Sequence, residues 1–239
     1  MIIIPARTGS TRFPNKVLAD IAGLPMVIRT AKAVESIDRV VIATDAQEVI
    51  DQANKYGIEA ILTSTSHQSG TDRIHEAVQK LALDKDEIVI NVQGDEPFIE
   101  TEVVQAVYQL TKSNQANPKI MMTSCYKTIS QEDANDPNIV KVLTEHNDVA
   151  LYFSRSKIPY SRDNHLTSYK GHLGIYGFTV QGLEDFCKLP LAPIEEIEKL
   201  EQLRALYYGH QIAMVKVETK SFGIDTPEDL ERALKDFIL

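Results

Sequence analysis

Between Met1 and Ala19 the chain carries Arg7, Arg12 and Lys16 and no acidic residue. The run Pro5-Ala6-Arg7-Thr8-Gly9-Ser10-Thr11-Arg12-Phe13-Pro14-Asn15-Lys16 follows an apolar start and sets Gly, Ser and Thr where backbone and hydroxyl donors face an anion. Arg7 and Lys16 supply the charge a polyphosphate needs. The glycine spacing matches neither G-x-G-x-x-G nor a Walker loop, which removes the main support for a dinucleotide or P-loop site. A solvated turn with incidental charges is the plainer reading of the same residues.

Two aspartates could answer that positive loop with a metal ion. Asp95 lies in Gln93-Gly94-Asp95-Glu96-Pro97, directly after the apolar strand pattern Val89-Ile90-Asn91-Val92. In open α/β sheets such a position is the ligand-binding edge. Mg²⁺ takes hard oxygen ligands, commonly one or two carboxylates plus substrate phosphates, so one Asp there makes half a site. Asp225 precedes Thr226-Pro227, where Thr226 is a good helix N-cap, leaving Asp225 one residue outside the helix. Each aspartate also suits an ordinary capping or turn role.

The remaining candidates read neutral or acidic groups. His67-Gln68-Ser69-Gly70-Thr71-Asp72-Arg73 offers amide, hydroxyl and guanidinium groups able to read a pyrimidine, and equally makes a helix start with Thr71 as cap. Arg155 closes the strand pattern Tyr152-Phe153-Ser154 and suits a bidentate carboxylate contact or a surface ion pair. Alternation puts His172, Gly174 and Tyr176 on one strand face. Glu201, four residues after Ile197, falls on the inward side of a helix, where Arg204 is an alternative partner.

The elements that must position these groups alternate. β-branched runs predict strands at 1–5, 38–43, 58–62 and 87–92, separated by helical patterns at 26–35, 47–56 and 71–81. This is βαβ winding into a mainly parallel sheet with helices on both faces. After a helix near 100–112, strands at 119–127, 139–144, 148–153 and 171–180 with shorter connections predict a smaller mixed β region. A helix at 193–208, a strand at 211–217 and a helix at 227–237 complete the chain.

The whole of 1–239 reads as a single domain. Its net charge of −9 disfavours a nucleic-acid backbone as partner. No apolar run approaches the roughly 20 residues of a membrane span, and Met1–Pro5 is far shorter than a signal peptide's hydrophobic region, so membrane insertion and translocation are not expected. Cys125 and Cys187 have no C-x-x-C spacing, which suits a reducing cytoplasm and offers no zinc site.

Taken together, P-A-R-x-x-S-T-R-x-P-x-K, D-I-x-G-x-P-M from Asp20, H-Q-S-G-T-x-R, V-Q-G-D-E-P, H-L-G-I-Y-G, E-x-L-E-Q-L-R and D-T-P-E-D-L resemble the CMP-KDO synthetases, relatives of the CMP-sialate synthetases. KDO is 3-deoxy-manno-octulosonate, an eight-carbon sugar acid. The resemblance covers nearly the whole chain. It implies a Rossmann-like three-layer fold of the nucleotide-diphospho-sugar transferase type, with nucleotide binding in about 1–118, sugar binding and dimerisation in about 119–217, and a closing helix in about 226–239. It further implies transfer of CMP from CTP to KDO for lipopolysaccharide synthesis, Mg²⁺ on Asp95 and Asp225, and a homodimer. Ala6, Arg7 and Lys16 would hold the triphosphate, and Gln68, Ser69 and Arg73 the nucleoside. Gln93, Arg155, His172, Tyr176, Glu201 and Gln202 would hold the sugar. Thr8-Gly9 stands where an aromatic and Ala are common, Asn15 where Gly is common, and Phe178 where Tyr is frequent. The rival readings are a cytidylyltransferase for sialate or an 8-amino KDO analogue, a nucleotidyltransferase for a sugar phosphate, and a non-catalytic nucleotide-binding module. A Rossmann oxidoreductase lacks its glycine fingerprint here.

Overall fold

The chain opens with β1 (Ile2–Ala6), whose first loop leads to a small hairpin, β2 (Asp20–Ile21) and β3 (Leu24–Pro25), and then to α1 (Met26–Val34). Strand and helix alternate through β4 (Val40–Thr44), α2 (Gln47–Lys55), β5 (Glu59–Leu62), α3 (Gly70–Lys80), β6 (Ile88–Asn91) and α4 (Thr101–Asn114). Four strands follow almost directly on one another: β7 (Ile120–Ser130), β8 (Lys141–Thr144), β9 (Ala150–Ser154) and β10 (Ser168–Thr179). The chain ends in α5 (Val180–Lys188), α6 (Pro193–Glu198), α7 (Leu203–Tyr207), β11 (Gln211–Lys216) and α8 (Pro227–Phe237). These elements come from a computed structural model that describes all residues except 10–12, 68, 164, 166 and 239.

The central sheet runs β11-β7-β10-β6-β1-β4-β5, with β8 pairing β10 and β9. β6, β1, β4 and β5 are parallel, so their carboxyl ends open on one edge; β10 enters antiparallel between β6 and β7, where the winding becomes mixed. Strand alternation divides the apolar residues between two faces. Ile3, Val41 and Val89 pack towards α3 and α5, while Ile2, Ile4, Ile42 and Ile90 pack towards α1, α2 and α4. Both faces are therefore covered, which is what near-continuous apolar strands require.

Three local expectations are corrected. The single helix at 193–208 is two, broken at Lys199, whose φ of 54° cannot continue a right-handed helix. Ile197 is 80% exposed, so the inward helical face drawn through Ile197 and Glu201 does not exist. The cap of α3 is Ser69, not Thr71: its hydroxyl accepts from the Asp72 amide. The sequence reading also missed α5, which carries Gly182 in its first turn. A Cβ on Gly182 would lie 2.8 Å from the Met121 carbonyl oxygen, so close packing on β7 explains a residue that weakens the helical pattern.

Candidate functional site: two acids and a lysine beside a polar cavity

The parallel strands deliver their following residues to one edge. Asp95 follows β6, and Gly94 holds that turn against β1, since a Cβ there would meet the Pro5 carbonyl oxygen at 3.0 Å. Asp225 arrives from the far end of the chain. The Ile224 amide donates to the Asp95 carbonyl at 2.9 Å, latching the approach to α8 beside the post-β6 turn. Thr226 and Asp229 form a reciprocal capping box at the start of α8, and Asp229 Oδ2 also accepts from the Asp225 amide at 3.2 Å. Asp225 is thus held outside the helix, as its sequence context suggested.

Lys16 completes the group. Its Nζ donates to Asp95 Oδ2 at 2.6 Å and to Asp225 Oδ1 at 2.7 Å. Burial lowers its pKa, but the attraction of Asp95 first and Asp225 next outweighs that, and the ammonium ends above its ordinary value. Asn15, just before Lys16, has φ 55°, a left-handed conformation that Asn tolerates better than other non-glycine residues. Asn in the place of Gly therefore preserves the turn. Two carboxylates converging on one cation have the chemistry of a Mg²⁺ half-site. Among the described residues no group of three or more His, Cys, Asp or Glu is placed to hold a metal.

The other nucleotide candidates are more dispersed. Ala6 is buried at the end of β1, while Arg7 is exposed just beyond it. Arg73 is buried and binds Asp45 Oδ2 at 2.8 Å, Thr63 Oγ1 at 2.6 Å and the Ser64 carbonyl at 3.3 Å, tying together the ends of β4 and β5. Ser69 is engaged as the α3 cap and donates to Asp72 Oδ2 at 2.8 Å. Gln68, like Arg12, lies outside the described residues.

Beside Asp225 opens a cavity of about 540 Å³ whose walls include His172, Gly174, Tyr176, Glu201 and Gln202. The sugar candidates from β10 and from the turn before α7 therefore meet, although a β-bulge interrupts β10 between Leu173 and Tyr176. Tyr176 donates its hydroxyl to Gln202 Oε1 at 3.2 Å, and Gln202 Nε2 is buried with no partner among the described residues. His172 Nε2 lies 2.9 Å from Ser124 Oγ, and burial drives its pKa down to about 3, so the ring is neutral at physiological pH. Burial raises the Glu201 pKa, opposed by the Thr71 hydroxyl donating at 2.7 Å. Gln93 stands nearby, its Nε2 donating to Asn91 Oδ1 at 3.2 Å and to the Gly174 carbonyl at 3.3 Å.

Arg155 does not join them. Its guanidinium donates to the carbonyls of Glu198 at 2.8 Å, Pro137 at 3.0 Å and Lys199 at 3.5 Å, and it does not line the cavity. It caps the end of α6. The alternative partner for Glu201 is also displaced, because Arg204 forms a buried two-bond pair with Glu195 at 2.9 and 2.6 Å. In turn, Glu96, Lys127 and Arg232 line the cavity and escaped the sequence reading. Adjacency to Asp95 was a signal for Glu96, whose carboxyl is pushed up to about 7, by burial first and by Asp95 next. Nothing in the local patterns around Lys127 or Arg232 signals a shared wall.

Fold and site together define a nucleotidyltransferase. A profile of the cytidylyltransferase family matches residues 1–212, and a cytidylyltransferase from Leptospira borgpetersenii shares the fold at a TM-score of 0.63 and 17% identity, covering 100% of this chain and 87% of that one. Within that class the chain belongs to the 3-deoxy-manno-octulosonate cytidylyltransferases. Proteins of that name from a Nitratiruptor species and from Wolinella succinogenes are 56% and 53% identical, each over 99% of both chains. A solved CMP:2-keto-3-deoxy-manno-octonic acid synthetase complexed with CTP superposes with a TM-score of 0.89 at 39% identity, covering 100% of this chain and 98% of that one.

Proposed function

We propose that this chain transfers CMP from CTP to the anomeric hydroxyl of KDO, releasing pyrophosphate and supplying an activated sugar for lipopolysaccharide synthesis. The observation that carries the reading is that Lys16 Nζ lies within 2.7 Å of the carboxylates of both Asp95 and Asp225, the latter a wall residue of the polar cavity. Asp95 and Asp225 would hold Mg²⁺, which when bound supplies charge neutralisation and lowers the pKa of a nearby hydroxyl. Lys16 and Arg7 stabilise the charge that develops on the departing pyrophosphate. Lys16 is tethered through a flexible side chain, so it can exchange its carboxylate partners for phosphate oxygens.

On the other side, Gln202, Tyr176, Glu201 and neutral His172 offer donors and acceptors to sugar hydroxyls and fix the attacking oxygen towards the α-phosphorus. Positioning of this kind, rather than a covalent enzyme intermediate, does most of the work in phosphoryl transfer. The nucleotide is assigned to about 1–118 and the sugar to about 119–217. The same reading includes a homodimer, supported by the exposed apolar side chains of Leu151 and Ile197, and a cytoplasmic setting, supported by two free thiols. Among the described residues no helix is long and apolar enough to cross a membrane.

Replacing Asp95 with Asn tests the core of this assignment. Pyrophosphate release from CTP and KDO should be abolished while the far-ultraviolet spectrum and unfolding transition stay those of the wild type. Normal turnover in that variant refutes the role of Asp95. A panel of KDO, sialate and sugar 1-phosphates identifies the acceptor, and omission of Mg²⁺ tests the metal.

A further inference from the structure

KDO in its ring form carries the attacking hydroxyl and the carboxylate on the same carbon. If the hydroxyl is brought to Asp95 and Asp225, the carboxylate must also lie at that end of the cavity. Arg155 is engaged elsewhere, and His172 is neutral. Lys16 is already engaged by Asp95 and Asp225, and two further cations that line the cavity, Lys127 and Arg232, flank the segment Ser221-Phe222. Lys127 Nζ donates to the Ser221 carbonyl at 2.8 Å, and Ser221 Oγ donates to Glu96, the neighbour of Asp95, at 2.9 Å. On the other flank the Arg232 guanidinium lies 3.8 Å from the centre of the Phe222 ring. Lys199, by contrast, sits on the turn that carries Glu201 and Gln202.

The Lys127 ammonium is incompletely answered. It is half-buried, uses one of its three donors on a carbonyl and forms no ion pair among the described residues. Burial is the largest cause of its lowered pKa, and Arg232 adds to the lowering; Glu96, Glu100 and Asp133 act in the opposite direction without restoring it. Besides its ring contact, Arg232 has among the described residues a long ion pair with Asp229, at 3.7 Å. Two cations that repel each other across a cavity wall are both relieved by an anion placed between them.

We propose that Lys127, with Arg232 beside it, receives the carboxylate of the sugar acid and so selects acidic over neutral acceptors. This rests on the KDO reading above. The test compares wild type with Lys127→Met and Lys127→Arg, measuring KM for KDO and for CTP and the inhibition constants of a 2-deoxy analogue of KDO and of its methyl ester. Lys127→Met should raise KM for KDO about tenfold or more, the scale of one charge-assisted hydrogen bond, and leave KM for CTP within about twofold. The preference of the wild type for acid over ester should collapse towards unity in Lys127→Met and largely survive in Lys127→Arg. A merely structural role would weaken acid and ester alike. An unchanged acid-to-ester ratio in Lys127→Met overturns the assignment. Should that variant fail to fold, Arg232→Met must lower the ratio severalfold, and an unaltered ratio there refutes the proposal equally. Wild-type enzyme that releases no pyrophosphate with KDO refutes the substrate reading and this assignment with it.

Discussion

The two ends of the site are built on opposite physical plans. At the end proposed for the phosphates, Lys16, Asp95 and Asp225 are charged, with side-chain exposures of 12%, 25% and 43%. At the end proposed for the sugar, Tyr176 and Gln202 are buried on a strand and at a helix start, and the nearby His172 is neutral. Charges that remain near water can exchange partners cheaply, as the proposed arrival of a triphosphate and departure of pyrophosphate would require. Buried neutral groups cannot rearrange without losing hydrogen bonds, so they hold a fixed template instead. One end is therefore suited to reaction and the other to recognition.

The sharpest attack on this contrast is Lys16→Met. It should lower kcat/KM for CTP by about a hundredfold or more, the scale of losing a positioned donor to developing charge. It should also leave Asp95 and Asp225 facing each other, so Mg²⁺ should raise the melting temperature more in the variant than in the wild type. Equal responses to Mg²⁺ in both proteins would show that the two carboxylates do not share a cation.

A smaller effect is expected from His172→Gln, and it concerns pH. The folded pKa of about 3 lies below the ordinary 6.5, so the unfolded chain binds the proton first. The associated stability is full above 6.5 and is lost as the pH falls towards 3. Because the ring is only partly shielded, the wild-type loss by about pH 4.5 should be about 2 kcal/mol. Urea titrations at neutral and acidic pH should show a shallower loss in the variant. An identical slope would mean that His172 is not held neutral by the fold.

The smallest functional effect is predicted for Arg155→Met. Loss of its carbonyl contacts should cost about 1 to 3 kcal/mol of stability, while KM for KDO stays within about twofold. A large rise in KM would return Arg155 to the sugar site and blur the division between capping and recognition.

Much of the frame was legible because strand and helix periods are local properties. The strand expected at 38–43 is β4, that at 87–92 is β6, and α8 begins at Pro227 behind the Thr226 cap as anticipated. The helix at 193–208 misled because its apolar spacing persists through Lys199, while the break depends on a backbone conformation that no residue type there announces. The contacts of Arg155 were not legible for a related reason. A guanidinium after a strand suits a carboxylate and a helix-end carbonyl equally, and only the position of α6 selects the latter.

The amino-acid order by itself determined the alternation of elements, the acid-free first loop and the placement of Asp95 after a strand, because these follow from short-range periodicity and composition. Tertiary structure alone decided that Lys16 bridges Asp95 and Asp225, 79 and 209 residues away, and that Lys127 and Arg232 share a wall. Such contacts arise from how the sheet and its crossovers bring distant turns to one edge, and no local pattern encodes the distance between them.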